Sequence, residues 1–219
     1  MSFRRPIFLL LLLILALRIV YVFHADSSPL VDGMVGDMRP YRERAGEILA
    51  GDWIGSEVFF DAPLFPYFLA LFGAGPGGAE LPVRLVHALL GAASAFLVYR
   101  ITRSFFGVGP ALAATLLYGF YGFALFYDGL LLKPPLAVFL LLLSAWLLRG
   151  GRGGWAGVSL GAAALLRGNF LFLAPLFLFY AWRHLSRRAT AMLLIGVAVP
   201  VLIVTVRNAA VGGDFVLLT

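Results

Sequence analysis

Carboxylates crowded into one segment are the residues of this chain best suited to proton-transfer chemistry. Nine of the eleven Asp and Glu residues lie between the first and second long apolar stretches: Asp26, Asp32, Asp37, Glu43, Glu47, Asp52, Glu57, Asp61 and Glu80. A carboxylate held beside a hydroxyl group can act as a general base. Asp37 directly precedes the first predicted short helix of this segment, and Asp61 precedes the second. We therefore look for the functional chemistry in this loop.

Cationic residues near the same membrane surface are candidates for binding a phosphate. Lys133, the only lysine among seventeen basic residues, precedes two prolines, so we expect it to be extended just before a helix begins. The free N–H groups and dipole of that helix, together with the ammonium, would attract an anion such as a lipid phosphate. Arg167 lies at membrane depth, where a buried arginine costs roughly 2.5–3.5 kcal/mol and needs a partner or a wet cavity. Arg84 is a third candidate, although Arg84 and Arg18 could also be anchors that snorkel to the surface.

The acidic candidates have structural interpretations as well. Asp37 could simply cap the helix that follows it. Asp61, two residues before a proline, is typical of a turn. Asp128 could pair with Lys133 across the turn that separates them. No single residue decides between these alternatives, but the convergence of these charges on one face of the membrane favours a functional site.

Membrane-spanning helices are the elements that must position these residues. Hydrophobic residues make up 62% of the chain, charged residues 13%, and the mean hydropathy is +0.96, which excludes a soluble globular protein. Backbone groups in hydrocarbon must bond internally, and the apolar runs are too long and too uniform for barrel strands, so they are predicted to be helices. The runs cover residues 6–23, 81–99, 108–127, 134–148, 157–182 and 191–206.

The arginine distribution predicts the orientation in the membrane. With Arg4 and Arg5 in the cytoplasm, the cytoplasmic segments carry nine arginines and no acid, and all eleven carboxylates lie outside. This arrangement requires that residues 157–182 form two short helices that turn at 166–169, which gives about seven crossings and an outward C-terminus. The net charge of +6 comes from span ends and not from a patch, so no nucleic-acid partner is expected.

The chain is predicted to be one all-α integral-membrane module over residues 1–219. The first span is expected to be a retained signal anchor, because no A-x-A-like cleavage site follows it before Asp26. The predicted divisions are the first span at 1–23, an outer loop at 24–80, the remaining spans at 81–206 and an outer C-terminal segment at 207–219.

Two short juxtamembrane helices are predicted within the outer loop. Residues 38–50 form an amphipathic pattern that places Tyr41, Ala45, Ile48 and Leu49 on one face. Residues 63–72 are aromatic and apolar but too short to span, so they are expected to lie at the interface.

Several stretches, taken in order, resemble a known family. They are RIVY at 18–21, Asp37 with Tyr41 and Ala45, ILAGDW at 48–53, DAPLFPY at 61–67, VRL at 83–85, FYDGLLLKPPL at 126–136, GAAALLRGN at 161–169 and RN at 207–208. Their order and spacing resemble the N-terminal half of GT-C membrane glycosyltransferases, in the group of the protein O-mannosyltransferases and the lipid A aminoarabinose transferases. The chain departs from many relatives at Lys133 and at Ala62, and relatives continue past a seventh span, so the chain is expected to be the shared module only.

The resemblance implies transfer of a sugar from a polyprenyl-phosphate-linked donor to an acceptor at the outer membrane face. The catalytic aspartate of that family's first outer loop corresponds to Asp37, which is therefore the expected general base. A second acidic position corresponds to Asp128, expected to position the acceptor or a divalent cation. The expected contacts to the donor phosphate are Arg84, Lys133 and Arg167. The expected supporting residues are Asp61, Tyr41 and Arg207.

Two other functions fit the same sequence. A non-catalytic subunit that binds lipid phosphate or serves as a scaffold would keep the fold without turnover. A transporter or flippase would place its polar groups and broken helices near the bilayer midplane, whereas the charges here lie mainly at the outer ends of the spans. The abundance of arginine and the absence of cysteine are typical of a GC-rich bacterium, and the expected location is its inner (plasma) membrane.

Overall fold

The fold is all-helical throughout the residues that the computed structural model describes, which are 4–26, 36–59, 61–213 and 216–218. Asp32 lies outside these residues, as do the side chains of Arg4, Arg5 and Asp26. The helices, in chain order, are α1 (Arg4–Asp26), α2 (Met38–Leu49), α3 (Leu64–Leu71), α4 (Leu81–Phe106), α5 (Val108–Gly119), α6 (Gly122–Asp128), α7 (Pro134–Arg149), α8 (Gly153–Ala164), a 3-10 helix (Gly168–Leu173), α9 (Ala174–His184) and α10 (Arg187–Gly212).

Three of the described helices, α1, α4 and α10, are long and apolar enough to cross a membrane. Helices α5 and α6 pass the same test only as a pair, because each is too short alone, and the chain bends by 51° between them. Helix α7 is apolar but has only 16 residues. The class of an all-α membrane protein is therefore confirmed, and length and composition alone support three to four spans among the described residues.

The break between α5 and α6 corrects the prediction of one continuous helix over 108–127. Tyr121 has an extended backbone (φ −68°, ψ 111°), which interrupts the helical hydrogen bonds. The stretch 157–182 does divide as predicted, since α8 ends before the chain turns at Arg167 and the 3-10 helix and α9 follow. Lys133 directly precedes α7 as predicted, but its backbone is helical (φ −65°, ψ −21°) and not extended. Its carbonyl accepts a hydrogen bond from Ala137 N at 3.0 Å, which draws it into the first turn.

Helix α2 packs its predicted apolar face on α3. Tyr41, Ala45 and Ile48 are buried as predicted, and the Tyr41 ring meets the edge of Phe65 with 5.1 Å between centroids. Leu49 was expected on this face but is 52% exposed. Arg42 is buried on this helix instead, because its guanidinium reaches the carbonyl oxygens of the 73–78 turn.

Helices α8 and α10 approach each other closely through glycines. Three glycines recur at every fourth position of α8, and in order along α8 they meet successive turns of α10: Gly153 meets Ala189, Gly157 meets Leu193 and Gly196, and Gly161 meets Val197 and Pro200. Small residues at this spacing let helix backbones touch, which is a common basis of helix association in membranes. Because the contacts advance in the same direction along both helices, α8 and α10 run parallel.

Further contacts fix the directions of the other helices. Helices α7 and α8 are antiparallel, since Ser144 Oγ donates to Ala156 O and Ser159 Oγ donates to Leu140 O, each at 2.7 Å. The end of α10 reaches the loop, where Arg207 Nε donates to Ile54 O at 2.8 Å. We refer to this side, which holds residues 36–80, the start of α7, the turn at Arg167 and the end of α10, as the loop end. The opposite side, where α4 and α7 finish, is the distal end.

Gly157→Ala is expected to destabilise the protein by about 1–3 kcal/mol, because overpacking a tight interface forces backbones apart. A Cβ at this position would lie 2.9 Å from Gly196 Cα. The measurement is the thermal unfolding midpoint of the purified protein in detergent.

Gly154→Ala is the matched control. A Cβ there meets only Met192 Cβ, at 3.6 Å. Alanine in a helix is favoured over glycine by about 0.5–1 kcal/mol, so the control variant should be as stable as the parent or more so. Equal midpoints for the two variants would contradict the close approach of α8 and α10.

Candidate active site

Hydrogen bonds to the Asp61 carboxylate connect the loop to the start of α7. Asp61 lies three residues before the start of α3, and its Oδ2 accepts a hydrogen bond from Tyr41 Oη of α2 at 2.6 Å. The Lys133 ammonium, at the start of α7, donates to the same oxygen. Lys133 Nζ also lies over the Tyr41 ring, 5.7 Å from its centroid. Three elements that are distant in sequence thus meet at one carboxylate.

The protonation states at this junction follow from burial and hydrogen bonding. Burial by itself raises the pKa of Asp61, but hydrogen bonds from Lys133 and Tyr41 and the nearby ammonium charge outweigh it, so the pKa is held below its usual value. The pKa of Tyr41 is raised, first by burial and then by its hydrogen bond to Asp61. Asp61 is therefore an ionised acceptor at neutral pH, and Tyr41 remains a protonated donor.

Asp37 differs from Asp61 in having an exposed carboxylate without a described partner. It occupies the N-cap position of α2, but its side chain makes no capping hydrogen bond. In the part of the chain that the structure describes, no side chain forms an ion pair with it either. The interpretation of Asp37 as a capping side chain is therefore wrong, and the carboxylate is left available to a ligand.

A cavity of about 340 Å³ at the loop end brings several predicted site residues together. Asp37, Tyr41, Asp61 and Arg207 all line it. We refer to it as the loop cavity; the rest of its wall consists of Pro40, Glu43, Arg44, Glu47, Gly55, Ser56, Glu57, Val58, Phe59 and Pro66. Arg207 lies over the Phe59 ring at 4.0 Å and donates to Asn208 Oδ1 at 3.0 Å, so its guanidinium is held at the wall.

A second cavity, of about 350 Å³, lies among the helices and has a mostly aromatic and apolar wall. We refer to it as the span cavity; it is lined by Arg18, Gly91, Tyr118, Tyr121, Phe123, Ala124, Tyr127, Asp128, Pro134, Pro135, Ala137, Val138, Arg167 and Phe170. Arg167 is exposed, as expected for an arginine at a wet cavity. Its charge lowers the pKa of Tyr41, but burial and the hydrogen bond to Asp61 raise that pKa more strongly.

A buried ion pair joins α1 to α6 in the wall of the span cavity. The Arg18 guanidinium donates to Asp128 Oδ2, and the two side chains are 0% and 1% exposed. A Cβ on Gly91 would overlap the guanidinium, so the small residue makes room for Arg18. Two alternatives are therefore wrong: Arg18 does not snorkel to the surface, and Asp128 does not pair with Lys133. Asp128 Oδ1 has no hydrogen-bond partner among the described residues.

Arg84 lies apart from both cavities. It is 3% exposed and donates to Glu80, which also accepts a hydrogen bond from Arg42. Arg42 NH2 in turn donates to Gly75 O at 3.0 Å, so this cluster holds the 73–78 turn against α2. The three arginine and lysine positions predicted to bind a donor phosphate are thus separated: Lys133 is at the Asp61 junction, Arg167 is at the span cavity, and Arg84 is in this cluster.

A divalent cation has no evident ligand set in the described residues. No group of three or more His, Cys, Asp or Glu side chains among them could hold a metal ion. Asp37 and Asp128, the two predicted ligands, line different cavities. The cation remains a prediction from the family resemblance.

Sequence reasoning missed the partner of Arg18, although a signal was present. An arginine inside an apolar run needs a counter-charge at the same depth. Asp128 is the only carboxylate between Glu80 and Asp214, so it was the natural candidate. The contribution of Arg44 to the loop cavity was also missed; it donates to Glu47 at 2.6 Å and to Asp52 O at 3.1 Å.

Comparison with known proteins decides the family. Residues 61–209 match the family described as dolichyl-phosphate-mannose-protein mannosyltransferase. The chain belongs to this family. The resemblance to GT-C membrane glycosyltransferases is therefore confirmed, and the family uses lipid-linked sugar donors. The matched segment begins at Asp61, so Asp37 and Tyr41 lie just before it. No curated protein and no solved structure gives a match.

Lys133→Met is expected to change how stability depends on pH. In the parent the folded-state pKa of Asp61 is below its unfolded value, so Asp61 stabilises the fold above about pH 4, and this contribution is lost as the pH falls through the folded pKa. Burial raises the pKa of Asp61, and without the Lys133 ammonium less remains to lower it, so this pKa rises. The loss of stability on going from about pH 7 to about pH 3.5 should therefore shrink or reverse.

The measurement is the unfolding midpoint of both proteins across this pH range. Arg39→Met is the matched control, because it breaks an ion pair with Glu43 whose side chains are 72% and 53% exposed. The control should keep the pH dependence of the parent. A Lys133→Met variant that is as acid-sensitive as the parent would show that Lys133 does not control the ionisation of Asp61.

Proposed function

We propose that this chain transfers a sugar from a polyprenyl-phosphate-linked donor to an acceptor at the loop end of its helices. Family membership supports glycosyl transfer from a lipid-linked donor in general terms. The observation that carries the specific proposal concerns the Asp37 carboxylate, which lines the loop cavity and has no ion-pair partner among the described residues, whereas Asp61 and Asp128 are each paired with a cation.

Asp37 is the proposed general base because it alone of the three candidate aspartates has no cation paired with it among the described residues. An ionised carboxylate that already accepts bonds from a lysine and a tyrosine is a weaker base, since those bonds stabilise its charge. In the proposed reaction the acceptor hydroxyl attacks the anomeric carbon, and Asp37 takes the hydroxyl proton. The bond from that carbon to the phosphate oxygen breaks, and polyprenyl phosphate leaves with the electron pair.

Arg167 is the proposed principal contact for the donor phosphate. It is exposed at the boundary between the span cavity and the loop end, and a guanidinium can bind phosphate oxygens in a bidentate manner. Lys133 lies at the start of α7, where its remaining N–H donors and the helix dipole would assist. The aromatic wall of the span cavity suits the first isoprene units. Arg84 contributes indirectly, by holding Glu80 and the 73–78 turn.

The Asp61 junction and Asp128 are proposed to support this chemistry. Tyr41 and Asp61 fix the wall of the loop cavity, and Arg207 adds a cation to it. The unpartnered Oδ1 of Asp128 is the atom with which this residue would position a ligand in the span cavity. If a divalent cation takes part, the exposed Asp37 carboxylate in the wall of the loop cavity would be one of its ligands.

We further propose about seven crossings, with the N-terminus in the cytoplasm and the loop end outside a bacterial inner membrane. The direction of the helices supports this count. Helix α8 returns the chain to the loop end, the turn at Arg167 reverses it, and α10 returns it again to Ile54. Helix length alone does not identify all of these crossings. The remaining ones would be formed by the short helices α8 and α9, with the 3-10 helix between them.

Asp37→Asn is expected to lower turnover by about 10²–10⁴-fold, the typical contribution of a general base. Binding of the donor should remain within about twofold of the parent, because the amide keeps the shape of the side chain. The measurement is consumption of radiolabelled polyprenyl-phosphate mannose by membranes that contain the protein, together with binding of the same donor to the purified chain.

Asp52→Asn is the matched control, since it changes a loop carboxylate that is 53% exposed and lies outside the loop-cavity wall. The control should turn over like the parent. Retained turnover in Asp37→Asn would remove Asp37 from the role of base. A parent chain that binds the donor and never consumes it would favour the non-catalytic, lipid-phosphate-binding alternative.

A further inference from the structure

A third cavity, of about 370 Å³, lies at the distal end between the last turns of α4 and α7. Three arginines line it, Arg100 from α4 and Arg149 and Arg152 from the end of α7 and the following turn. Ser104 and Trp146 complete the polar and aromatic parts of its wall. Since Lys133 and Asp61 mark the opposite end of α7, this cavity is separate from the loop and span cavities.

Among the described residues, no carboxylate forms an ion pair with any of these three guanidinium groups. After Glu80 the sequence contains only two carboxylates, Asp128 and Asp214. Asp128 is paired with Arg18 in the wall of the span cavity, and Asp214 lies outside the residues that the structure describes. Among the described residues, the negative charge that would balance this cavity is missing, so the cavity is suited to an anionic ligand.

The described contacts of these arginines are with neutral groups. Arg149 Nε donates to Ser104 Oγ at 2.8 Å, and its guanidinium lies 4.7 Å from the Phe105 ring centroid. Arg100 is flanked by the Phe96 and Trp146 rings, each at 5.8 Å. These contacts orient the planar groups and leave most of their N–H donors for a ligand.

We propose that this cavity binds the phosphate headgroup of an anionic phospholipid from the membrane leaflet at the distal end. Guanidinium groups bind phosphate oxygens through paired, charge-assisted hydrogen bonds. Basic pockets between transmembrane helices are suited to anionic lipid headgroups. Phe105 and Phe106 beside the cavity are 57% and 71% exposed, which is how apolar side chains that face acyl chains would be placed. A bilayer lipid, and not a free phosphate ion, fits this combination of charge and apolar surroundings.

The test is a titration of the purified, delipidated full chain with phosphatidylglycerol, with phosphatidylcholine and with inorganic phosphate, read by native mass spectrometry. We expect saturable binding of phosphatidylglycerol and much weaker binding of the other two. Arg149→Gln and Arg152→Gln should each weaken it by about tenfold, the effect of losing one charge-assisted hydrogen bond. Arg152→Gln alone suffices if the Arg149 variant does not fold, because Arg152 makes no described side-chain hydrogen bond.

The matched control is the double variant Arg187→Gln, Arg188→Gln, which removes two exposed arginines at the same distal end but outside the cavity. It should change binding by less than about twofold. Equal weakening by the control would show that only the general surface charge attracts the lipid. Inorganic phosphate that binds as tightly as phosphatidylglycerol would overturn the lipid as the ligand, and phosphatidylcholine that binds equally well would overturn the role of the arginines.

Discussion

Charged groups beside hydrocarbon need a partner of opposite charge, and this constraint determines how the chain uses its carboxylates. Arg18 is buried within α1, and Asp128 neutralises it. Lys133 at the start of α7 is held by Asp61. Each ion pair joins two elements of the fold, and the paired carboxylate becomes a weaker base. Of the three candidate aspartates, Asp37 is the one for which the described residues provide no cation, and the proposed mechanism follows from that allocation.

Helix packing places the remaining cations of the site. The glycines of α8 let it lie against α10 in a parallel arrangement, so the end of α8 and the end of α10 reach the same side of the molecule. Arg167 follows α8, and Arg207 lies near the end of α10, so both arrive at the loop end. The loop itself is fixed there by the bonds from Tyr41 and Lys133 to Asp61. Residues far apart in the sequence are thereby gathered around two adjoining cavities.

Much of this arrangement could be predicted from local sequence patterns. The apolar runs predicted the membrane class, the spacing of Tyr41, Ala45 and Ile48 predicted α2, and the turn at Arg167 was placed correctly. The break at Tyr121 was missed although Gly119 and Gly122 flank it, because the surrounding residues are apolar and the run has the length of one span. The helical backbone of Lys133 also runs against a local rule, since tertiary contact with Asp61 outweighs the preference of a residue before proline.

The ion pair between Arg18 and Asp128 could be predicted only in part. Arg18 and Asp128 are 110 residues apart, so no periodicity connects them, yet the cost of an unpaired charge in hydrocarbon made a partnership necessary. The sequence contains too few carboxylates beyond Glu80 to offer many choices. By contrast, the loop contains many acidic residues. Only the three-dimensional structure shows that Asp61 is paired with a cation and that Asp37 has no described cation.

Binding of a polyprenyl phosphate to the purified chain, compared with Arg167→Ala and Lys133→Ala variants, tests the central claim most directly. Arg39→Ala, an exposed arginine of the same loop, serves as the control. The proposed donor site predicts saturable binding that both variants weaken and the control leaves unchanged. Binding that neither variant weakens, or no binding at all, would contradict a donor site at the loop end of these helices.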